Sequence, residues 1–277
     1  MSTHRRIDIN AEVKSAIEEL LSGLHHSSLF ALIADSLGKL PPSLKLPESN
    51  IIGIFHVGSG SVEAEPKPET ELWSEMRETF VQYCIRYAIV AMITSSELYL
   101  QRLYFLAELA KVVTHCGGTI KGEMFHEIKS RCAKKFRHSS VDGLVEETFN
   151  SIGLTTPNLS LLESFRSIYG LRKCLVHRGG IIGREDVDDR GGLTALWQKP
   201  VLSVNGKDVA SLPLRVDKGQ TVDVRFVYER REWHPGDELQ LTTENCQHIA
   251  ITLGQFGKEL GGELINGIHT MLTSKPH

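Results

Sequence analysis

Residues 171–180 read LRKCLVHRGG. Within one short segment stand Arg172, Lys173, His177 and Arg178, followed by two glycines. These side chains suit a reaction at phosphate. An arginine offers a rigid fork of donors to phosphate oxygens. A histidine titrates near neutral pH and can act as general base or acid. A helix C-terminus favours the protonated ring. Together they fit RNA cleavage in which a ribose 2′-hydroxyl attacks its own phosphate. That path needs proton transfer and charge stabilisation, with no metal or other cofactor required. One histidine is meagre for both proton steps. A symmetric dimer would bring two copies of the segment together and supply the second.

The positions of these residues on a helix sharpen the reading. At about 100° per residue, Leu161, Phe165, Ile168, Leu175 and Val176 fall within about 60° of Arg172. Arg172 is therefore expected to emerge from an apolar stripe, where an unmatched charge is costly. Arg166, Tyr169, Lys173 and His177 occupy the neighbouring flank, about 60° to 140° round. They and Arg178 are the candidate RNA- or phosphate-binding residues, with Arg172 and His177 as the candidate catalytic pair. Upstream, Glu97 lies among Val90, Ile93, Leu100 and Tyr104, again a charge in an apolar stripe. Two opposite charges, each wrong for its own helix, are best explained by each other. An ion pair from Glu97 to Arg172 is expected, with Glu97 as structural support for the arginine head.

The elements that must position these residues follow from periodicity. DINAEVKSAIEELLSGL, with Asp8 or Asn10 as cap, reads as a first helix. Residues 31–70, rich in proline, glycine, serine and charge, read as linker or extended arm, with IIGIFHV as one short strand. From Glu71 some forty residues run without proline or glycine. There Trp73, Met76, Phe80, Cys84, Tyr87 and Ala91 recur every three or four positions, which predicts one long helix or two nearly continuous ones. HCGG ends it. Helices follow over TIKGEMFHEIKSRCAKKF and VDGLVEETFNSI. Another starts near Asn158 or Ser160 and stops at Gly179-Gly180. Between about 181 and 243 the period becomes that of strands, with turns at Asn205-Gly206 and Pro235-Gly236. Thr242 or Thr243 caps a last helix. The expected fold is mainly α: an antiparallel helical bundle over 71–277 with a small β insertion before the last helix, preceded by an N-terminal helix and an extended arm or linker over 1–70.

Composition narrows the function classes. The formal net charge is −3, so non-specific coating of nucleic acid is not expected, and contact with it needs a local basic patch. AKKFRHSS, residues 133–140, is one such patch. Five cysteines, odd in number and without CxxC spacing, fit a reducing compartment. His115, Cys116, His126, Cys132 and His138 match no standard zinc spacing, so no metal site is expected. The longest apolar run, AIVAMI, is too short to span a bilayer. With no signal-peptide pattern at the start, a cytoplasmic protein without membrane contact is expected.

RKCLVH, Arg172 through His177, resembles the R-x4-6-H signature of the HEPN superfamily. SIYGLRKCLVHRGGII is similar to that family's aliphatic lead, motif and following glycine. MITSSELYLQRLYF, residues 92–105, resembles its glutamate-bearing opening helix, and GDELQLTTENCQHI resembles the turn-strand-helix close of its large single-domain branch. The resemblance covers roughly residues 71–275. It implies an all-helical domain, with Arg172 and His177 as the catalytic pair of a metal-independent ribonuclease. It further implies a dimer with both motifs at one cleft, and toxin–antitoxin, phage-defence or RNA-processing roles, with an antitoxin or other protein as possible partner. Lys173 stands where active members often carry asparagine, aspartate or histidine. That residue favours the alternative of a non-catalytic RNA- or protein-binding module. A nucleotide-binding accessory domain is a third class.

Overall fold

A computed structural model describes residues 8–39, 55–57, 60–62, 69–116, 120–136, 140–209 and 220–273. These form six helices and two small sheets. The helices are α1 (Ile9–Gly38), α2 (Glu69–His115), α3 (Gly122–Phe136), α4 (Val141–Ser151), α5 (Leu162–Arg178) and α6 (Thr243–Thr273). A two-stranded sheet pairs β1 (Phe55–Val57) with β2 (Gly60–Val62). A three-stranded antiparallel sheet, ordered β4-β3-β5, holds β3 (Leu193–Val204), β4 (Lys207–Asp208) and β5 (Val222–Trp233). The chain is thus a mainly α bundle with a small β insertion before the final helix. Among the described residues no helix is long and apolar enough to cross a membrane.

α2, at 47 residues, is the spine. α1, α3, α4, α5 and α6 all pack on it. Its buried face runs through Cys84, Ile85, Ala88, Ile89, Met92 and Ile93. The stripe that marks the helix in the sequence is a different one. Met76, Phe80 and Tyr87 are more than half exposed, and of its described side chains Cys84 alone is fully buried. Periodicity identifies the helix correctly, but α2 is apolar on several faces, and only its neighbours decide which face is dry.

α1 opens on Asp8, whose carboxylate accepts from the Ala11 N–H at 3.2 Å, and extends to Gly38, past the expected boundary at residue 31. It packs into the common core. Val13, Ala16, Leu20 and Leu24 recur at helical spacing and are buried in the common core. On α2, Arg102 reaches Glu12 at 2.9 Å and Glu19 at 2.5 Å. Arg77 donates to the Gly38 carbonyl at the other end of α1. α6 closes on both helices where glycines let backbones approach. A Cβ on Gly257 would lie 2.3 Å from Leu20 Cδ2, and the Tyr99 hydroxyl donates to the Gly257 carbonyl at 2.5 Å.

The β insertion is seated by its first half. Leu193, Ala195 and Trp197 alternate inward and are buried. The edge of β3 facing away from β5 is completed by helix side chains. The Leu196 N–H donates to Ser167 Oγ and the Gln198 N–H to Thr252 Oγ1, both at 2.8 Å. The turn after β3 uses Asn205 and Gly206, both at positive φ, as a tight hairpin turn requires. Thr242 caps α6 reciprocally with Asn245. The strand expected before that cap is only a single bridge, Ile181 to Glu238.

Candidate functional site

α5 carries the motif because its two halves are fixed differently. Its apolar face (Phe165, Ile168, Leu171, Cys174 and Leu175) is buried, and Phe165 stacks on Phe256 of α6 at 4.3 Å between centroids. Val176, expected in that stripe, is 49% exposed. The dry face is therefore rotated away from Arg172, which stands at its rim rather than its centre. This geometry keeps the guanidinium within reach of water.

The expected ion pair is present. Arg172 Nη2 lies 3.4 Å from Glu97 Oε2, with the two side chains 40% and 20% exposed. The other Glu97 oxygen accepts from the Tyr169 hydroxyl at 2.7 Å. Burial first, then the bond to Glu97, pushes the Tyr169 phenol above its usual range. It therefore stays a donor at neutral pH. Arg172 Nε is buried without a hydrogen-bond partner. Glu97, Tyr169 and Arg172 thus form one cluster between α2 and α5.

The other cations are arranged otherwise. Arg178 was expected to face phosphate. Instead it is clamped by Asp186 and Glu185, and its Nε donates to Asp186 Oδ2 at 2.8 Å. The Asp186 carboxylate is fully buried and also accepts from the Gly183 N–H at 2.9 Å. Lys173 Nζ donates to the Glu185 carbonyl at 3.0 Å. Both residues therefore tether the segment 183–186 across the end of α5. Arg166 is on the exposed flank. His177 is exposed in the last turn of α5. From Arg172 it is about 7.5 Å along the axis and about 140° round. The arginine head turns to Glu97 on α2.

The sequence reading missed Arg86. Its Nη1 donates to the Gly179 carbonyl at 2.5 Å, and its Nη2 pairs with Glu238. Gly179, at φ 61°, is the left-handed cap of α5. Gly180 lies so close that a Cβ there would meet the Arg86 guanidinium at 3.0 Å. Arg86 precedes Glu97 by eleven residues, about three helical turns, so both lie on one face of α2. That spacing was a readable signal. Cys174 offers no nucleophile. Burial pushes its thiol up to about 11, and its Sγ donates to the Ile181 carbonyl at 3.2 Å.

Among the described residues no group of three or more histidine, cysteine or acidic side chains is placed to hold a metal ion. His138, part of the basic patch, lies outside the described residues. No family model, curated protein sequence or solved structure matches this chain.

Proposed function

We propose that this chain is a metal-independent endoribonuclease that works as a dimer. Arg172 grips the scissile phosphate. A neutral His177 takes the 2′-hydroxyl proton as the 2′-oxygen attacks phosphorus. The bond from phosphorus to the 5′-oxygen breaks, and that oxygen takes a proton from a protonated His177 of the second copy. The products are a 2′,3′-cyclic phosphate and a 5′-hydroxyl end. The supporting observation is Arg172 itself: anchored on Glu97, yet 40% exposed, five residues before an exposed imidazole. A toxin–antitoxin or phage-defence setting, with an antitoxin as protein partner, follows from the family resemblance. The cytoplasm, where RNA and unpaired thiols coexist, is the compartment this reading requires.

The second reading is a non-catalytic module that binds RNA or a protein through the same face. It is favoured by Lys173 and Arg178, which serve the 183–186 segment. One experiment separates the two. The purified protein is incubated with mixed RNAs in EDTA beside the His177→Ala form. The enzyme reading expects cyclic-phosphate ends with wild type and none with the variant. RNA retained on the wild-type protein but never cut supports the module.

A further inference from the structure

Among the described residues β5 is an edge strand with an open side. The Leu196 and Gln198 N–H groups of β3 point to α5 and α6, away from β5. The odd-numbered residues of β3 therefore exchange backbone bonds with β5. Their opposites on β5 are also odd: Glu229 faces Trp197, Val227 faces Lys199 and Arg225 faces Val201. The even residues Val224, Phe226, Tyr228 and Arg230 must then turn their N–H and C=O groups outward. Among the described residues none of these outward groups has a backbone partner. The strand is exposed from Val222 to Tyr228, including Val224 and Phe226. A long, apolar, unpaired edge is a template for another strand.

We propose that β5 pairs antiparallel with β5 of a second copy, about a two-fold axis at Val227, joining two three-stranded sheets into one of six. The charge order selects this occupant. Along one face run Asp223, Arg225, Val227, Glu229 and Arg231, a pattern that reverses into its own complement. Centred on Val227, the pairing sets Asp223 opposite Arg231 of the second copy and Arg225 opposite Glu229 of the second copy. Sliding the register by one face-preserving step sets Asp223 against Glu229, or Arg225 against Arg231. On the other face Phe226 meets Tyr228 of the second copy, a favourable cross-strand aromatic pair. The outward backbone groups of Phe226 and Tyr228 fall into register as a hydrogen-bonded pair. This interface is read from β5 alone and neither requires nor follows from the ribonuclease reading.

The test is the mass of the full chain by light scattering across a concentration series. Wild type is expected to associate through β5, as a dimer or, where the α5 faces pair as well, as a larger assembly. Arg225→Glu is expected to weaken the dimer about tenfold or more, because it creates two like-charge oppositions across the axis and also breaks the Arg225–Asp208 pair within each chain. Adding Glu229→Arg to that variant restores the dimer. In a Cys116→Ser background, Val227→Cys is expected to oxidise to a disulfide-linked dimer, since residues at the axis face each other within disulfide range. Val222→Cys is the control. Its two copies would be ten residues, about 33 Å, apart along the strands. The cysteine variants leave the charges untouched and carry the test if Arg225→Glu fails to fold. A monomer at every concentration overturns the proposal. So does a dimer indifferent to the charge swap, or cross-linking at Val222 as readily as at Val227.

Discussion

Replacing Glu97 with glutamine removes one charge from the α2–α5 cluster while leaving an oxygen to accept from Tyr169. At 3.4 Å and an effective dielectric constant of about 20, the ion pair has a gross attraction of about 5 kcal/mol. Little of that survives. The arginine is 40% and the glutamate 20% exposed, so water screens the pair and both groups were well solvated in the unfolded chain. A net value of about 1 kcal/mol is expected, above an exposed surface pair and below a buried one. For a chain of this size that is about 2–4 °C in Tm. The assay is a double-mutant cycle by urea unfolding, with Glu97→Gln, Arg172→Met and the combination. Methionine keeps the apolar stem of the arginine packed. The expected coupling is about 1 kcal/mol, and the double variant should be less destabilised than the sum of the singles. If the two costs simply add, the pair does not hold the arginine head. The account of how α2 positions the site would then fail, whatever the chain does to RNA.

Three further outcomes follow from the geometry. His248 is buried against Glu229 and Glu244 of the same chain, with Lys199 and Arg231 nearby, and burial lowers its pKa from the usual 6.5. The unfolded chain therefore takes up the proton first, so stability should fall as pH drops below about 6.5, and His248→Gln should flatten that part of the profile. Gly257→Ala and Gly262→Ala should act in opposite directions in thermal unfolding. The first drives a Cβ to 2.3 Å from Leu20 and should cost about 1–2 kcal/mol net, whereas the second meets nothing within 4 Å and should gain up to about 1 kcal/mol in helix propensity. Arg178→Ala should leave the salt slope of RNA binding unchanged, whereas loss of a true phosphate contact lowers it by about 0.7. The same variant should speed proteolysis within 181–192, because the clamp on Asp186 is gone.

What the sequence disclosed was local or paired. The left-handed stop at Gly179, the Asn205-Gly206 turn and the Thr242 cap each depend on a few adjacent residues, and each is where its residue types require. Glu97 and Arg172 were legible together because each violated its own helix. The length of α1 was not legible, since residues 31–38 carry no strong stop before Gly38 and helix signals fade into the proline-rich stretch beyond. Which face of α2 is dry was hidden by apolar residues on several faces. The true state of Lys173 and Arg178 was hidden for another reason. Their partners, Glu185 and Asp186, reach them only because a loop folds back over the end of α5, and no periodicity encodes that return.

This loop changes the electrostatics of the site. Arg86, Arg172, Lys173 and Arg178 surround the motif, but Glu97, Glu185, Asp186 and Glu238 lie among them, so four cations meet four carboxylates. A balanced site does not steer a polyanion from a distance. On the proposed reading, the grip on phosphate is short-range and directional, and it falls to Arg172, which Glu97 already holds in place. The same anchoring has a cost, since Glu97 competes with phosphate for the guanidinium. On that reading a phosphate binds beside the carboxylate, on guanidinium donors that Glu97 leaves free. The helices that register this arrangement, α2 through Arg86 and Glu97 and α5 through its capped end, are rigid over about 16 Å of α2. On the proposed dimer, a second copy would add its own Arg172 to the same phosphate track, whereas Lys173 stays on the Glu185 carbonyl.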